Sequence, residues 1–295
     1  MSEISTVGVL GCGLMGSGIA QVAAAAGFAT TVRDVSEPLL EKGRDSILKS
    51  LDKLVDKGKL GPAAREGALG RLTFVTALEG VAACDLVIEA VTEDLALKND
   101  LWSELDADSP AHTIFASNTS SLSIGDMAAG TRRPDRFIGH HFFNPVPLMP
   151  LVEVVRAVTT SPEVFERAMA FARRLGKQPI ATRDRSGFVV NRLLVPYLLD
   201  AVRALEQGVA SIEDLDRGMQ LGCGHPMGPL TLLDFVGLDT TARIAEIMFD
   251  EYREPRYAPP ALLRRMVTAG YHGRKSGRGF YDYASEPPTP IDPGL

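Results

Sequence analysis

TVGVLGCGLMGSGIAQVAAAAG, residues 6–27, runs from a short β-branched stretch through glycines into small residues that stop at Gly27. Residues 6–10 have the composition of a buried strand, and Gly27 is a natural helix stop. Gly11, Gly13 and Gly16 fit G-x-G-x-x-G. The first glycine allows a tight turn, the second lets the backbone approach a pyrophosphate, and the third permits close helix–strand packing. The start of the following helix offers unpaired N–H groups and partial positive charge where phosphates would sit. FATTVRD, residues 28–34, predicts the next strand and ends at Asp34. Its position, roughly 20 residues on, suits a carboxylate that accepts hydrogen bonds from an adenosine ribose. A free ribose suits that carboxylate and a 2′-phosphate would be repelled, so NAD is favoured; Arg33 beside it keeps NADP possible.

Outward from this unit, strand and helix signals alternate. RLTFVT, DLVIEAV, TIFASN and RFIGHHF read as strands, with helical segments such as DLALKNDLWSELDA between them. Ser36 opens a long amphipathic helix with Glu37 and Pro38 in its first turn. LMPLVEVVRAV adds a strand, SPEVFERAMAFARRLG a capped helix, and KQPIAT a last strand. The alternation predicts an α/β fold with a Rossmann-like, doubly wound, mainly parallel sheet. After about residue 183 the pattern becomes helical. GFVVNRLLVPYLLDAVRALEQG reads as one helix kinked at Pro196, and Ser211 caps the next. The expected organisation is residues 1–184 as a dinucleotide-binding domain, 185–283 as an all-α domain, and the Pro-rich 284–295 as a flexible tail.

With 295 residues, 45% hydrophobic and 23% charged, the composition suits a soluble protein of two domains. A net charge of -6 without polybasic runs argues against nucleic acid as a partner. The start is polar, with no signal core, and the apolar runs are too short or interrupted for a bilayer. Three cysteines, Cys12, Cys84 and Cys223, lack metal-ligand spacing, which points to a reducing, cytoplasmic setting and no metal site.

HFFNPVPLMP, residues 141–150, carries the chemistry. His141 ends a strand on the side of the sheet where open α/β folds bind ligands. Glu153 lies in LVEVV, a run that otherwise wants burial, and Pro145, Pro147 and Pro150 hold the connection extended. A buried carboxylate needs a partner, and imidazole is a suitable one; the pair is general-base equipment. A structural His–Glu bond in the core is the competing reading. His140 competes with His141, because neighbouring strand residues face opposite sides and periodicity cannot choose between them. Phe142, Phe143 and Met149 read as core or pocket wall, His225 as part of a helix-to-helix turn, and His112 and His272 have no partner in view.

Taken in order, GCGLMGSGIA, IEAVTED, ASNTSSL, HFFNPVPLMPLVEVV, GFVVNRLLVPYL and HPMGPLTLLDFVGLDT resemble the L-3-hydroxyacyl-CoA dehydrogenase family in its short, 3-hydroxybutyryl-CoA form. The resemblance runs from the glycine loop to GRKSGRGFYDY. It implies His141 as the catalytic histidine, directly before FFNP, with Glu153 as its acidic partner, and it places His140 where the family usually has an apolar residue. It implies cofactor contacts at Gly11, Cys12, Gly13, Leu14, Met15, Gly16, Asp34, Glu93, Lys98, Ser120, Asn144 and Lys275. Ser120 and Asn191 fall where the family touches the reacting end of the substrate, and Ser50, Lys57 and Ser120 where it touches coenzyme A. By local chemistry alone, Glu93 and Lys98 read as a surface charge pair, and Ser50 and Lys57 as a solvated helix face. The implied activity is NAD-dependent interconversion of 3-hydroxyacyl-CoA and 3-oxoacyl-CoA in fatty-acid or butanoate metabolism, by a homodimer joined through the helical domain. A dehydrogenase of free hydroxy or sugar acids is the alternative enzyme, and a non-catalytic NAD-binding protein the alternative class. The length leaves no room for a fused hydratase.

Overall fold

Thr6–Leu10 (β1) is buried along nearly its whole length, as a strand flanked on both sides and covered on both faces must be. The computed structural model describes residues 3–292 and 294, and the chain divides into two units, Met1–Phe188 and Val189–Leu295. In the first, α1 (Leu14–Ala25) leads to β2 (Ala29–Arg33), α2 (Glu37–Asp56), α3 (Pro62–Leu69) and β3 (Leu72–Val75). The chain then crosses back through α4 (Glu79–Ala82) to β4 (Leu86–Glu89), α5 (Leu95–Asp108), β5 (Ile114–Ser117), α6 (Ile124–Ala129) and β6 (Phe137–Phe142). β7 (Leu151–Arg156), α7 (Pro162–Arg174) and β8 (Gln178–Arg183) complete the unit.

The eight strands lie in the order β3-β2-β1-β4-β5-β6-β7-β8. β1 pairs in parallel with both β2 and β4, so the chain leaves on opposite sides of the gap between β1 and β4, where connections diverge and open a crevice. β7 departs from the parallel rule, running antiparallel to β6 and parallel to β8. One face is packed by α1, α2, α3 and α7 through Ile19, Ile47, Ala68 and Phe171, the other by α4, α5 and α6 through Val81, Trp102 and Met127. α7 follows its sequence signals: Ser161 Oγ accepts the Val164 N–H, Pro162 opens the first turn, and Arg173 and Arg174 close the last. Ser36 takes the N-cap position of α2 but makes no side-chain cap bond. Phe188 packs in the first unit's core, so the division falls a few residues later than the expected boundary.

The second unit contains α8 (Val190–Glu206), with Pro196 inside it, α9 (Ile212–Cys223), α10 (Pro229–Val236), α11 (Leu238–Tyr252) and α12 (Ala261–Thr268). Ser211 caps α9 as expected, accepting the Asp214 N–H. Residues 284–292 are not the flexible tail expected from their prolines. Thr289–Pro290 pairs with Tyr281–Asp282, and Ile291 donates its N–H to the Phe280 carbonyl and is only 9% exposed within the helical core. The buried isoleucine and the strand pairing together dock the segment despite its composition. Residues 293 and 295 lie outside the described residues. Among the described residues no helix is long and apolar enough to cross a membrane.

Ile291→Ala should lower the unfolding free energy by about 2 kcal/mol, the low end for a buried aliphatic truncation, with a lower midpoint in urea. An unchanged midpoint would show that the docked segment adds nothing to stability.

Candidate active site

The glycine loop follows β1, and its three glycines are required for different reasons. Gly11 has φ +93, and a Cβ there would lie 2.7 Å from the Ala90 carbonyl oxygen. A Cβ on Gly16 would lie 1.8 Å from the Gly11 carbonyl oxygen. Both are glycine because of the protein's own packing. A Cβ on Gly13 would meet no protein atom within 4 Å, so nothing in the fold itself demands glycine there. Gly13 is the N-cap of α1 and no side chain caps that helix, which leaves its first amides for an anion. Leu14 and Met15 form the first turn.

Asp34 follows β2 and is held on both oxygens: Cys12 N donates to Oδ2 and Val35 N to Oδ1, each at 2.7 Å. An ionised carboxylate has about four acceptor positions, so capacity remains for a ribose diol. The donor-rich helix start and the fixed acceptor therefore fit the two ends of a nucleotide. Arg33 Nε donates to the Thr76 carbonyl at 3.1 Å, which ties its guanidinium to the end of β3. Burial, and then the neighbouring Asp34, push the Cys12 thiol up to about 11, so it remains protonated.

Across the antiparallel ladder His141 pairs directly with Glu153, with Nδ1 and Oε2 2.6 Å apart. Glu153 has no exposure and His141 very little. With the Nδ1–H donated to the carboxylate, Nε2 is the nitrogen left to accept a proton. Phe143 and Phe188 flank the ring at centroid distances of 4.5 and 5.6 Å. His140 faces the other way: its Nε2–H donates to the Ala168 carbonyl at 3.1 Å and its ring stacks on Phe171. Burial pushes its pKa down to about 4 and leaves Nδ1 without a hydrogen-bond partner.

The connection 143–150 is held by more than its prolines. Lys177 Nζ, largely buried, donates to the carbonyls of Val146 and Met149 at 2.5 and 2.8 Å, and Gln178 N donates to the Pro150 carbonyl. A Cβ on Gly18 would lie 2.8 Å from Val146 Cβ, so α1 packs closely on this connection. Asn144 is exposed on it and Phe142 is core.

A third segment, residues 117–121, is tied to both ends of the site. Glu93 Oε1 accepts from Thr119 Oγ1, from Ser120 N at 3.2 Å and from Ser121 Oγ at 3.2 Å. Burial would raise the Glu93 pKa, but the Lys98 ammonium and the bonds from Thr119, Lys98 and Ser120 outweigh it and lower it. Lys98 is no surface charge: it is 1% exposed, with its ammonium against Glu89 and Glu93. Asn118 Oδ1 accepts the Phe142 N–H at 2.9 Å, next to His141. Glu89, Asn118 and Lys177 were not singled out from the sequence, although Glu89 carries the same signal as Glu153, an acid inside an apolar strand.

Residues 6–185 match the family model of the 3-hydroxyacyl-CoA dehydrogenase NAD binding domain, and residues 187–283 that of the 3-hydroxyacyl-CoA dehydrogenase C-terminal domain. The chain belongs to the 3-hydroxyacyl-CoA dehydrogenase family. A 3-hydroxybutyryl-CoA dehydrogenase of Mycobacterium tuberculosis is 52% identical over 282 residues, 95% of this chain and 99% of its own. The human mitochondrial hydroxyacyl-coenzyme A dehydrogenase is 47% identical over 287 residues, 95% of this chain and 91% of its own. The solved structure of (S)-3-hydroxybutyryl-CoA dehydrogenase PaaH1 from Ralstonia eutropha superposes with a TM-score of 0.92 at 46% identity, covering 96% of this chain and 100% of that one.

The remaining residues expected from 3-hydroxyacyl-CoA dehydrogenases lie on three other elements. Ser50 is within α2 and half-buried, whereas Lys57 is exposed and caps the C-terminus of that helix, one residue past its last turn. In the second unit, Asn191 is in the first turn of α8, and Lys275 pairs with Asp239 at 2.6 Å. His225 accepts or donates to Tyr197 Oη at 3.1 Å, as a turn-shaping residue does. His112 and His272, read as partnerless, lie 3.4 Å from Asp85 Oδ1 and 3.3 Å from the Val267 carbonyl. No group of three or more His, Cys, Asp or Glu poised for a metal ion occurs among the described residues.

Because the folded protein holds His140 neutral down to about pH 4, while an unfolded histidine takes its proton near 6.5, the unfolded chain binds the extra proton between those values. Stability is therefore lost as pH falls through that window, by up to about 3 kcal/mol from this residue. His140→Phe should flatten the slope of unfolding free energy between pH 6.5 and 4; an unchanged slope would assign it to other groups.

Proposed function

We propose that this protein interconverts short (S)-3-hydroxyacyl-CoA and 3-oxoacyl-CoA thioesters with NAD, His141 acting as general base in oxidation and general acid in reduction. The observation that carries the reading is the buried 2.6 Å contact of His141 Nδ1 with Glu153. Glu153 fixes the tautomer and stabilises the imidazolium formed when Nε2 takes the hydroxyl proton. When bound, NAD supplies the acceptor for the hydride leaving C3. The glycine loop and the uncapped start of α1 would hold its pyrophosphate, and Asp34 its adenosine ribose, which favours NAD over NADP.

Ser120 and Asn191 would orient the hydroxyl and thioester oxygens, while Asn144, Glu93, Lys98 and Lys275 would serve the nicotinamide side. Ser50 and Lys57 would meet the coenzyme A moiety, with the exposed Lys57 ammonium available to a phosphate. The short acyl chain is supported by relatives named for 3-hydroxybutyryl-CoA. A homodimer through the second unit is supported by exposed Leu193, Leu221 and Phe235 on α8, α9 and α10.

Rates of NADH and NADPH oxidation against 3-oxoacyl-CoA esters of increasing length test the whole reading. Acetoacetyl-CoA with NADH should be a good substrate pair, and free acetoacetate a poor one. Equal rates with the free acid would favour a hydroxy-acid dehydrogenase instead.

His141→Ala should lower kcat by about 10²–10⁴-fold, the usual contribution of a general base, with NAD affinity nearly unchanged. A parallel loss of NAD binding would make His141 structural. Glu153→Gln should cost about 10²-fold or more in kcat, since an amide can favour the wrong imidazole tautomer.

A further inference from the structure

The dyad and Ser120 belong to different strand ends, and something must hold them in mutual register. The residue connected to both is Glu89, the last residue of β4, which has no exposure. Its Oε1 accepts the Val91 N–H at 2.7 Å and faces the buried Lys98 ammonium, and its Oε2 accepts the Ser117 hydroxyl at 2.6 Å. Two chains of contacts leave it. Through Lys98, whose ammonium also lies 3.2 Å from Glu93 Oε2, it fixes the carboxylate that grips Thr119, Ser120 and Ser121. Through Ser117 it reaches the same segment from the other side, because Ser117 Oγ accepts the Thr119 N–H at 3.2 Å. The Glu89 backbone carbonyl accepts the Asn118 N–H at 2.8 Å, and Asn118 Oδ1 in turn takes the Phe142 N–H.

We infer that Glu89 is a positioning residue: with Lys98 and Ser117 it fixes the 117–121 segment, and so sets Ser120 at a defined place relative to His141. The inference rests on the reading of Ser120 and His141 as residues that face the substrate. The chemistry favours this role over a purely stabilising one. A buried carboxylate–ammonium pair contributes little net stability, because desolvation offsets its attraction, but it is directional when every remaining lone pair is used. Glu89 uses both oxygens, and its contacts with Lys98 and Ser117 both lead to the same short segment. Reaction rate is far more sensitive to small displacements than stability is, with about 1 Å of misplacement costing about 10²-fold.

Two variants test this, each measured for kcat, for KM of acetoacetyl-CoA and NADH, and for thermal melting. Ser117→Ala removes one hydroxyl from the chain of contacts and leaves the ion pair intact. By taking the donor from Glu89 Oε2 it should melt lower by about 3–8 °C and still fold, yet lose about tenfold in kcat, with KM for NADH within about twofold. Glu89→Gln alone leaves the Lys98 charge without its main partner and should melt lower. Adding Lys98→Met removes the stranded charge, so the double variant should regain melting temperature but not kcat, measured at saturating NADH because Lys98 also serves the nicotinamide side. Recovery of both melting and kcat in the double variant would make the pair merely structural and overturn the inference. So would wild-type kcat in Ser117→Ala. Failure of the wild-type protein to turn over acetoacetyl-CoA would instead sink the functional reading itself.

Discussion

A carboxylate withdrawn from water must find its partners inside the protein, and the site is organised around two that do. Glu153 meets an imidazole across an antiparallel ladder, and Glu89 meets an ammonium, a hydroxyl and an amide at the end of a parallel strand. Each sits among buried apolar strand residues, where it would be costly if left unsatisfied. Because both acids are engaged by polar partners, they help fix the side chains around them. The antiparallel pairing of β7 with β6 sets Glu153 directly opposite His141.

The two glycine requirements of the nucleotide loop illustrate how protein and ligand constraints can be told apart. Gly11 and Gly16 are imposed by backbone atoms of the fold, at Ala90 and at Gly11 itself. Gly13 answers to no protein atom, so the fold leaves the space beside the uncapped helix start open. In the same way, Asp34 is held by two backbone amides that use only part of its acceptor capacity. Asp34 is thus fixed by the scaffold and not saturated by it.

Much of this was legible in the residues. The strand–helix alternation gave all eight strands of the sheet, and the apolar setting of Glu153 marked it as an acid in need of a partner. Choosing between His140 and His141 was not possible from periodicity, because the choice depends on cross-strand register, a tertiary property. Lys177 escaped notice since a lysine after a glycine reads as exposed, and only the fold brings two loop carbonyls to its ammonium. Ser117 and Asn118 look like ordinary turn-formers at a strand end. Ile291 was hidden by the prolines around it, whose composition suggested disorder while one side chain found a core.

The adjacent imidazoles have a consequence for how the chain reaches its native arrangement. If β6 slipped by one residue toward His140, a histidine would still stand opposite Glu153, so the acid by itself cannot recognise the correct alignment. Discrimination falls to neighbours on the other face: the Ala168 carbonyl and the Phe171 ring meet His140 in the native register and would meet Gly139 after such a slip. The helix on the far side of the sheet thus acts as proofreader for a decoy that the strand itself carries.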